Sequence, residues 1–172
     1  MKNSNFPKLS SYEIAKNFEK ARLSSRKRYA KILHKPGAEF NQVFNFMLEE
    51  SYMQPHLHPS VEKIEKMYLV QGNFAVLFFN EDGKVENVSL LEKGGCENIE
   101  IPAFKWHTYV ILTENVISYE TMIGKFEPQT WKTLADWAPG ENTPESESYL
   151  ALLKQHSIRK FVIRMLKQAD HY

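Results

Sequence analysis

The chain has 172 residues, 42% hydrophobic and 25% charged, which is the usual composition of one folded domain and excludes a disordered chain. Its net charge of +1 gives no general attraction to nucleic acid or to an anionic membrane surface, so we expect neither as a partner. The single cysteine, Cys96, excludes an intrachain disulfide framework. It also favours a reducing compartment, and no apolar run has signal-peptide or membrane-spanning length, so we expect a cytoplasmic protein.

The chain begins with a helical pattern. Ser10 and Glu13 have the spacing of a capping box, in which each side chain bonds to the backbone N–H of the other, so they predict a helix start. Apolar residues continue the pattern at helical spacing: Ile14, Phe18 and Ala21. We expect residues 1–36 to form an N-terminal helical segment that packs on the body of the protein.

Strand patterns occupy residues 37–142. Short apolar or alternating segments are separated by turn residues, and the clearest pair is Phe74–Phe79 and Val85–Leu90, whose intervening turn indicates a β-hairpin. Many short antiparallel strands predict a mainly β sandwich or barrel. Alternation predicts six mostly buried residues: Phe44, Phe46, Leu69, Val76, Phe78 and Ile101.

Residues 143–172 return to a helical pattern. The opposite sides of this helix are predicted to be apolar and largely basic. The apolar stripe consists of Ile158, Phe161, Val162, Met165 and Leu166. We expect a C-terminal helical extension docked on the sheet or on a neighbouring subunit, and the small net charge favours this over a membrane-surface or partner-recruiting helix. Because this stripe must dock and twofold dimers are the commonest oligomers, we predict a homodimer.

Three histidines and a carboxylate indicate a metal site. His56 and His58 stand two residues apart in a predicted strand, so their side chains point to the same face. His107 follows much later in the chain. Such donors suit one divalent ion, with Zn, Fe, Mn and Ni all open as its identity.

The spacing around these histidines resembles the first motif of the cupin superfamily, which reads H-x-H, three or four residues, Glu, six residues, Gly. Glu62 lies at the right distance from the histidines, whereas Glu65 has the six intervening residues before Gly72. The segment up to Gly72 is predicted as a strand of rigid register, and the turn before it tolerates insertions. Glu65 is therefore the preferred ligand and Glu62 the alternative.

The second cupin motif places a proline five residues before the last histidine, and Pro102 and His107 have this separation. Phe104 stands where the motif usually has glycine. The turn is therefore expected either to avoid a positive φ or to strain to reach it. Ile111 stands in place of the usual asparagine.

Five segments, residues 21–28, 33–34, 51–59, 101–102 with 106–107, and 136–141, together resemble the WbuC-type cupin-fold metalloproteins. The last of them contains the family-specific Trp-Ala-Pro sequence. Members of this family are encoded beside bacterial surface-polysaccharide genes. The resemblance implies a double-stranded β-helix barrel over residues 37–142 with a helix on either side, a bound metal, and a small-molecule ligand such as a sugar or a carboxylate.

Five further residues are candidates for ligand contact: Tyr52, Gln54, Trp106, Arg26 and Arg28. Tyr52 and Gln54 share the strand parity of the histidines, which predicts either support of the metal site or plain packing. Trp106 either fills the core or provides a stacking wall for a sugar ring. The two arginines belong to a basic run that either reaches an anionic ligand group or is solvated.

The sequence leaves two classes of function open. The first is a metal-dependent enzyme (an isomerase, epimerase or oxygenase) that acts on a sugar or nucleotide-sugar. The second is a non-catalytic cupin that binds metal and a small ligand and serves as a sensor or interaction module. An enzyme predicts a polar pocket with a base within reach of the ligand, and a binding module predicts a closed or apolar cavity.

Overall fold

Residues 6–169 are described by the structure, a computed structural model, with side chains up to Arg159. The described side chains therefore do not include four residues of the predicted apolar stripe: Phe161, Val162, Met165 and Leu166. The elements in chain order are α1 Ser11–Leu23, β1 Arg28–Ile32, β2 Phe40–Leu48, β3 His56–Leu57, β4 Glu65–Gln71, β5 Phe74–Phe79, β6 Val85–Leu91, β7 Asn98–Ile101, β8 His107–Ile111, β9 Asn115–Ile123, β10 Thr133–Leu134 and α2 Pro144–Ala169.

The strands form two five-stranded antiparallel sheets. The order is β1-β2-β9-β4-β7 in the first sheet and β10-β3-β8-β5-β6 in the second. Strands that are distant in sequence lie next to each other, because the chain passes repeatedly from one sheet to the other. This is the double-stranded β-helix arrangement, and the predicted mainly β fold with a helix on either side is confirmed.

Three apolar clusters hold the layers together. The first fills the space between the sheets and contains Leu69, Val76 and Ile101. The second lies between the outer face of the second sheet and α2, and the third joins the first sheet to α1. All of β5 is buried, because apolar clusters cover both of its faces, and this explains its uninterrupted apolar run. All six residues predicted as core are buried.

Helix α1 begins as predicted. The Ser10 hydroxyl accepts the Glu13 N–H at 3.2 Å, and the Glu13 carboxylate accepts the Ser10 N–H at 2.9 Å, which completes the capping box. The buried face of α1 packs Phe18 edge-on against Phe46, with ring centroids 5.3 Å apart. This contact fixes the helix on the first sheet.

The N-terminal segment differs from the predicted one, because it also contributes a strand. Residues Arg28–Ile32 form β1 and pair with β2, from Arg28 opposite Met47 to Ile32 opposite Val43. This strand is at the edge of the sheet and half of it is open to solvent, so its sequence lacks a continuous apolar pattern.

Helix α2 lies on the outer face of the second sheet through Leu150 and Leu153, which are buried in the second cluster. Of the predicted stripe, only the side chain of Ile158 is described, and it is 53% exposed. Within residues 6–169, no helix is long and apolar enough to cross a membrane.

Candidate metal centre

The structure brings four buried potential ligands together at one end of the barrel interior. They are His56, His58, Glu65 and His107, and the nearest donor atoms of all four lie within 4.8 Å of one another. His56 begins β3 and lies directly opposite His107, which begins β8. Glu65 is the first residue of β4 in the facing sheet. The two sheets thus supply the imidazoles from one side and the carboxylate from the other.

Backbone carbonyls orient all three imidazoles. Each ring Nδ1 lies near a carbonyl oxygen: 3.1 Å for His56 to Gln54, 2.7 Å for His58 to Trp131 and 2.8 Å for His107 to Lys105. A carbonyl oxygen only accepts hydrogen bonds, so each Nδ1 must carry the hydrogen and leave the Nε2 lone pair free. This is the tautomer that metal-ligating histidines use, held by the same kind of hydrogen bond.

The contacts of Glu65 fit a cation at the centre of the cluster. Its Oε2 lies 3.2 Å from His58 Nε2 and 3.3 Å from His107 Nε2. These nitrogens carry lone pairs in the tautomer just described, so each contact needs a proton or a cation between the two atoms. His107 Nε2 is buried and has no hydrogen-bond partner among the described residues. The donor set and this unpaired nitrogen fit a divalent metal ion.

The electrostatics keep the cluster in the form that binds metals. Burial, followed by the charges of His107 and Lys132, lowers the pKa of His56 well below its usual value, so this ring is neutral. Burial raises the pKa of Glu65, but its close contacts with His107 and His58 outweigh burial and hold the pKa well below the usual range when the imidazoles carry the proton that takes the place of a cation. Glu65 is therefore ionised.

Tyr109 is part of the same centre, although the sequence patterns did not select it. Its hydroxyl donates to Oε1 of Glu65. Burial, with the charges of Glu65 and Glu120, raises the pKa of Tyr109 well above its usual value, so the hydroxyl keeps its proton. Tyr109 has the strand parity of His107, and this was the signal that could have identified it.

The choice between the two glutamates agrees with the rigid-strand argument. Glu62 is exposed in the turn before β4 and lies outside the cluster, whereas Glu65 is buried within it. Gly72 ends the strand with a φ of +78°, the left-handed conformation that glycine adopts without strain. The distance from the motif glycine therefore selected the glutamate that lies in the cluster, and the distance from the histidines did not.

Phe104 strains to reach the conformation that the motif usually assigns to glycine. Its φ is 60°, and its N–H donates to the carbonyl oxygen of His58 at 3.0 Å. The left-handed conformation costs a residue other than glycine about 1 kcal/mol. The loop thus keeps its shape and its bond to the histidine strand without the glycine.

A cavity of about 360 Å³ adjoins the cluster. Its lining mixes charged, polar and apolar side chains, many of them from β1, β2 and β9. The lining residues are Arg26, Arg28, Ala30, Ile32, His34, Asn41, Val43, Asn45, Met53, His56, His58, Glu65, Tyr109, Glu120, Met122, Phe126, Trp131 and Lys132. Three of the four donors form part of this lining, so a molecule in the cavity would lie against the candidate metal centre. The volume is at the lower end of the range for small-molecule sites.

Two of the five predicted ligand contacts lie at this cavity. Arg26 is exposed at its wall, and Arg28 is buried there. The guanidinium of Arg28 is already engaged, because Nη2 lies 2.6 Å from Glu141 Oε1 and Nη1 donates to the Tyr52 carbonyl at 2.8 Å. Arg28 therefore ties β1 to the C-terminal part of the barrel.

The structure does not bring the other three predicted contacts to the cavity. The Tyr52 hydroxyl donates to the Pro139 carbonyl at 2.7 Å, and Gln54 Nε2 donates to the Ala135 carbonyl at 2.8 Å. Both residues precede β3, so the alternation that holds within that strand does not extend to them. They instead fix the segment containing the Trp-Ala-Pro sequence, residues 137–139.

Trp106 faces the outer side of the second sheet. Its ring packs against Trp137 at a centroid distance of 6.0 Å, and its Nε1 donates to Glu81 at 3.0 Å. The residue precedes His107, and adjacent residues of a strand point to opposite faces. Trp106 therefore packs under α2 and does not form a stacking wall in the cavity.

Glu120 and Lys132 are cavity residues that the sequence patterns did not indicate. Glu120 lies in β9, where its Oε2 accepts a hydrogen bond from Asn45 Nδ2 at 2.8 Å. Burial and the nearby charge of Glu65 raise the pKa of Glu120 to about 8. Glu120 lies two residues after the buried Ser118 in the same strand, and this alternation could have predicted that its side chain points inward. Lys132 follows an irregular segment, which has no periodicity from which to predict its position.

Replacement of Glu120 by glutamine should remove a pH-dependent loss of stability. The folded pKa is raised above the unfolded value, so the folded state holds more protons and wild-type stability falls as pH rises from about 4.5 to 8. One pKa unit is worth about 1.4 kcal/mol, and partial exposure of the side chain reduces the total effect. As the pH rises from 5.5 to 8.5, we therefore expect the free energy of unfolding of Glu120→Gln to increase by about 1–3 kcal/mol relative to that of wild type.

Urea denaturation of EDTA-treated protein at the two pH values would measure this gain. The matched control is Glu114→Gln, at an exposed position in the turn before β9. A wild-type pH slope that survives in Glu120→Gln would contradict the prediction.

Comparison with known proteins agrees with this fold. Residues 9–91 match a sequence family described as a domain of unknown function, DUF6016. No curated protein sequence matches the chain. The chain is similar in structure to oxalate oxidase in complex with the substrate analogue glycolate, with a TM-score of 0.50 and 11% identity, over 64% of this chain and 56% of that one. This similarity shows the cupin fold.

Two further structures overlap the same part of the chain. Oxalate decarboxylase from Bacillus subtilis has a TM-score of 0.47 and 13% identity, over 62% of this chain and 31% of that one. CapF with the inhibitor 3-isopropenyl-tropolone has a TM-score of 0.48 and 15% identity, over 62% of this chain and 34% of that one. The chain thus spans only about a third of either protein.

Proposed function

We propose that this chain is a divalent-metal-binding cupin protein that acts on or binds a small molecule of sugar, nucleotide-sugar or carboxylate type. The observation that carries the proposal is the buried cluster of His56, His58, Glu65 and His107, in which backbone carbonyls orient the three imidazoles and two of them meet the carboxylate through Nε2. One ion of Zn, Fe, Mn or Ni is the proposed cofactor.

An enzymatic role on such a ligand has support from the cavity. A bound divalent ion would supply Lewis acidity, which polarises a carbonyl or hydroxyl oxygen and lowers the pKa of bound water. Tyr109 would hold the Glu65 carboxylate in place through its hydrogen bond. Glu120 lies at the cavity wall, where burial raises the pKa of its carboxyl group, so it is the candidate for accepting or donating a proton. An isomerase, epimerase or oxygenase is the proposed class.

The alternative is a non-catalytic sensor or interaction module. It has support from α2, where Leu152 and Ile158 expose apolar side chains that a partner could cover. The setting in surface-polysaccharide metabolism rests on the resemblance to the WbuC-type proteins, and the carboxylate option is in line with the glycolate named for the oxalate oxidase structure. A homodimer and a cytoplasmic location also remain proposals, as does a barrel domain over residues 37–142.

Metal content of two glutamate variants tests the assignment. We expect purified wild-type protein to contain about one equivalent of metal and Glu65→Ala to lose nearly all of it, since the loss of one buried ligand leaves an incomplete site. The matched control is Glu62→Ala, which removes an exposed carboxylate only three residues earlier and should retain the metal. Elemental analysis after chelator-free purification gives the answer, and the opposite ranking of the two variants would reject Glu65 as ligand.

A further inference from the structure

One positive charge at the cavity has no partner of its own. Arg28 is paired with Glu141, and Arg26 is exposed, so water screens its charge. Lys132 also lines the cavity and is partly buried, yet it takes part in none of the ion pairs formed by residues 6–159. Burial lowers the pKa of Lys132, which reflects the cost of holding an ammonium group there.

The backbone around Lys132 is fixed to the candidate metal centre. The carbonyl of Trp131 accepts the Nδ1 hydrogen of His58 at 2.7 Å. The preceding carbonyl, that of Thr130, accepts a hydrogen bond from the buried Lys63 at 2.9 Å. These contacts fix the backbone that precedes Lys132 beside one of the proposed metal ligands, and Lys132 itself forms part of the cavity lining.

We propose that Lys132 selects the ligand of the cavity, and that this ligand is a small hydroxylated organic acid whose carboxylate pairs with the Lys132 ammonium. The inference rests on the proposed function, because it names the ligand class of the same site. The carboxylates of Glu141 and Glu120 lie close enough to favour the charged form of Lys132, but neither forms an ion pair with it, so a bound anion would be its direct partner.

Neutral polar groups at the cavity suit the hydroxyl groups of such an acid. Asn41 belongs to the cavity lining, and its Oδ1 is buried with no hydrogen-bond partner among the described residues, so a hydroxyl group of the ligand would satisfy this acceptor. Glu120 uses only its Oε2 in the bond with Asn45 that the structure records. A hydroxyl group can both donate and accept, so it can bond to either side chain.

A carboxylate fits better than a phosphate. Phosphate groups are usually bound at a helix N-terminus or by a free arginine fork. Residues of α1 and α2 do not line this cavity, the fork of Arg28 is occupied by Glu141, and Arg26 is exposed at the wall, where water screens its charge. A single ammonium group, that of Lys132, matches the single negative charge of a carboxylate.

Paired probes separate charge recognition from the metal. Glycolate and D-glucuronate would be titrated beside their uncharged counterparts, glycolamide and D-glucose, by ligand-observed NMR with EDTA-treated and metal-loaded protein. We expect each acid to bind more tightly than its counterpart in both forms. Lys132→Met should weaken each acid by about tenfold or more and leave the neutral probes unchanged, because a hydrogen bond to a charged group is lost. Lys132→Arg should retain most of the affinity.

The control variant is Lys154→Met, which makes the same change in a lysine that does not line this cavity and is paired with Glu49 at 3.0 Å. Its affinity for the acids should equal that of wild type. Equal binding of acids and neutral probes, unchanged affinity in Lys132→Met, or a loss seen only in Arg26→Met would each overturn the inference. Inorganic phosphate that binds more tightly than both acids and depends on Lys132 would overturn the carboxylate class.

Metal content of the same samples keeps the two proposals apart. Wild-type protein without affinity for any divalent ion would refute the metal function. The preference of EDTA-treated protein for acids over neutral probes tests Lys132 by itself, since no metal then attracts the carboxylate.

Discussion

Metal-loaded wild-type protein should melt at a temperature about 8–16 °C above that of the EDTA-treated protein, and His107→Ala should abolish this difference. A ligand at a thousand times its dissociation constant stabilises the folded state by about 4 kcal/mol, and each kcal/mol raises the melting temperature of a chain of this size by about 2–4 °C. His107 is fully buried, and its Nε2 has no hydrogen-bond partner among the described side chains. Its removal therefore deletes a donor for which no neighbouring side chain substitutes.

The quantity to compare is the change in melting temperature when Zn, Mn or Ni is added, or when Fe(II) is added without oxygen. The melting temperature itself is not compared. Loss of a buried ring also leaves a cavity, which lowers the stability of His107→Ala with or without metal. The control is His156→Ala, at an exposed position on α2, which should keep the full shift. A metal-dependent shift that persists in His107→Ala, or that is missing from wild type with all four metals, would contradict the proposed centre.

Much of this candidate centre was predictable because three of its four residues lie at the first positions of strands. The two-residue period placed His56 and His58 on one face, and the register back from Gly72 selected Glu65 over Glu62. Alternation also gave the correct core, since apolar positions in a two-layer sandwich face one cluster or another. Where the backbone is periodic and its register is rigid, local sequence determines which side chains meet.

The residues that were missed or misplaced lie where this periodicity ends. Tyr52 and Gln54 precede a strand of only two residues, so their parity carried no information about direction. Strand β1 is a half-exposed edge, whose sequence need not alternate. Lys132 lies at the cavity next to Trp131, whose backbone carbonyl contacts His58. Trp131 and His58 are 73 positions apart in the sequence. Tertiary contacts of this kind leave no local pattern.

Gly72→Ala should destabilise the protein by about 2–4 kcal/mol, which tests the glycine that identified Glu65. The left-handed φ of +78° costs alanine about 1 kcal/mol, and crowding of the new methyl group adds about 1–3 kcal/mol. A Cβ at this position would collide with the backbone carbonyl oxygen of Asn115 and lie 2.7 Å from Thr113 Oγ1 and 2.9 Å from Val116 Cγ2. These atoms belong to the start of β9 and the turn before it, so they cannot move aside without disturbing the sheet.

Gly94→Ala separates the two costs, since Gly94 has nearly the same φ, +77°, but no atom within 4 Å of the point that a new methyl group would occupy. It should lose only the conformational part, about 1 kcal/mol. Urea denaturation of the metal-free proteins would compare the two variants without the contribution of metal binding. Equal losses in both would show that close approach of β9 to the β4–β5 turn does not require glycine. A larger loss at Gly72 would mean that the motif glycine lets the turn pack directly against the strand that carries Glu120.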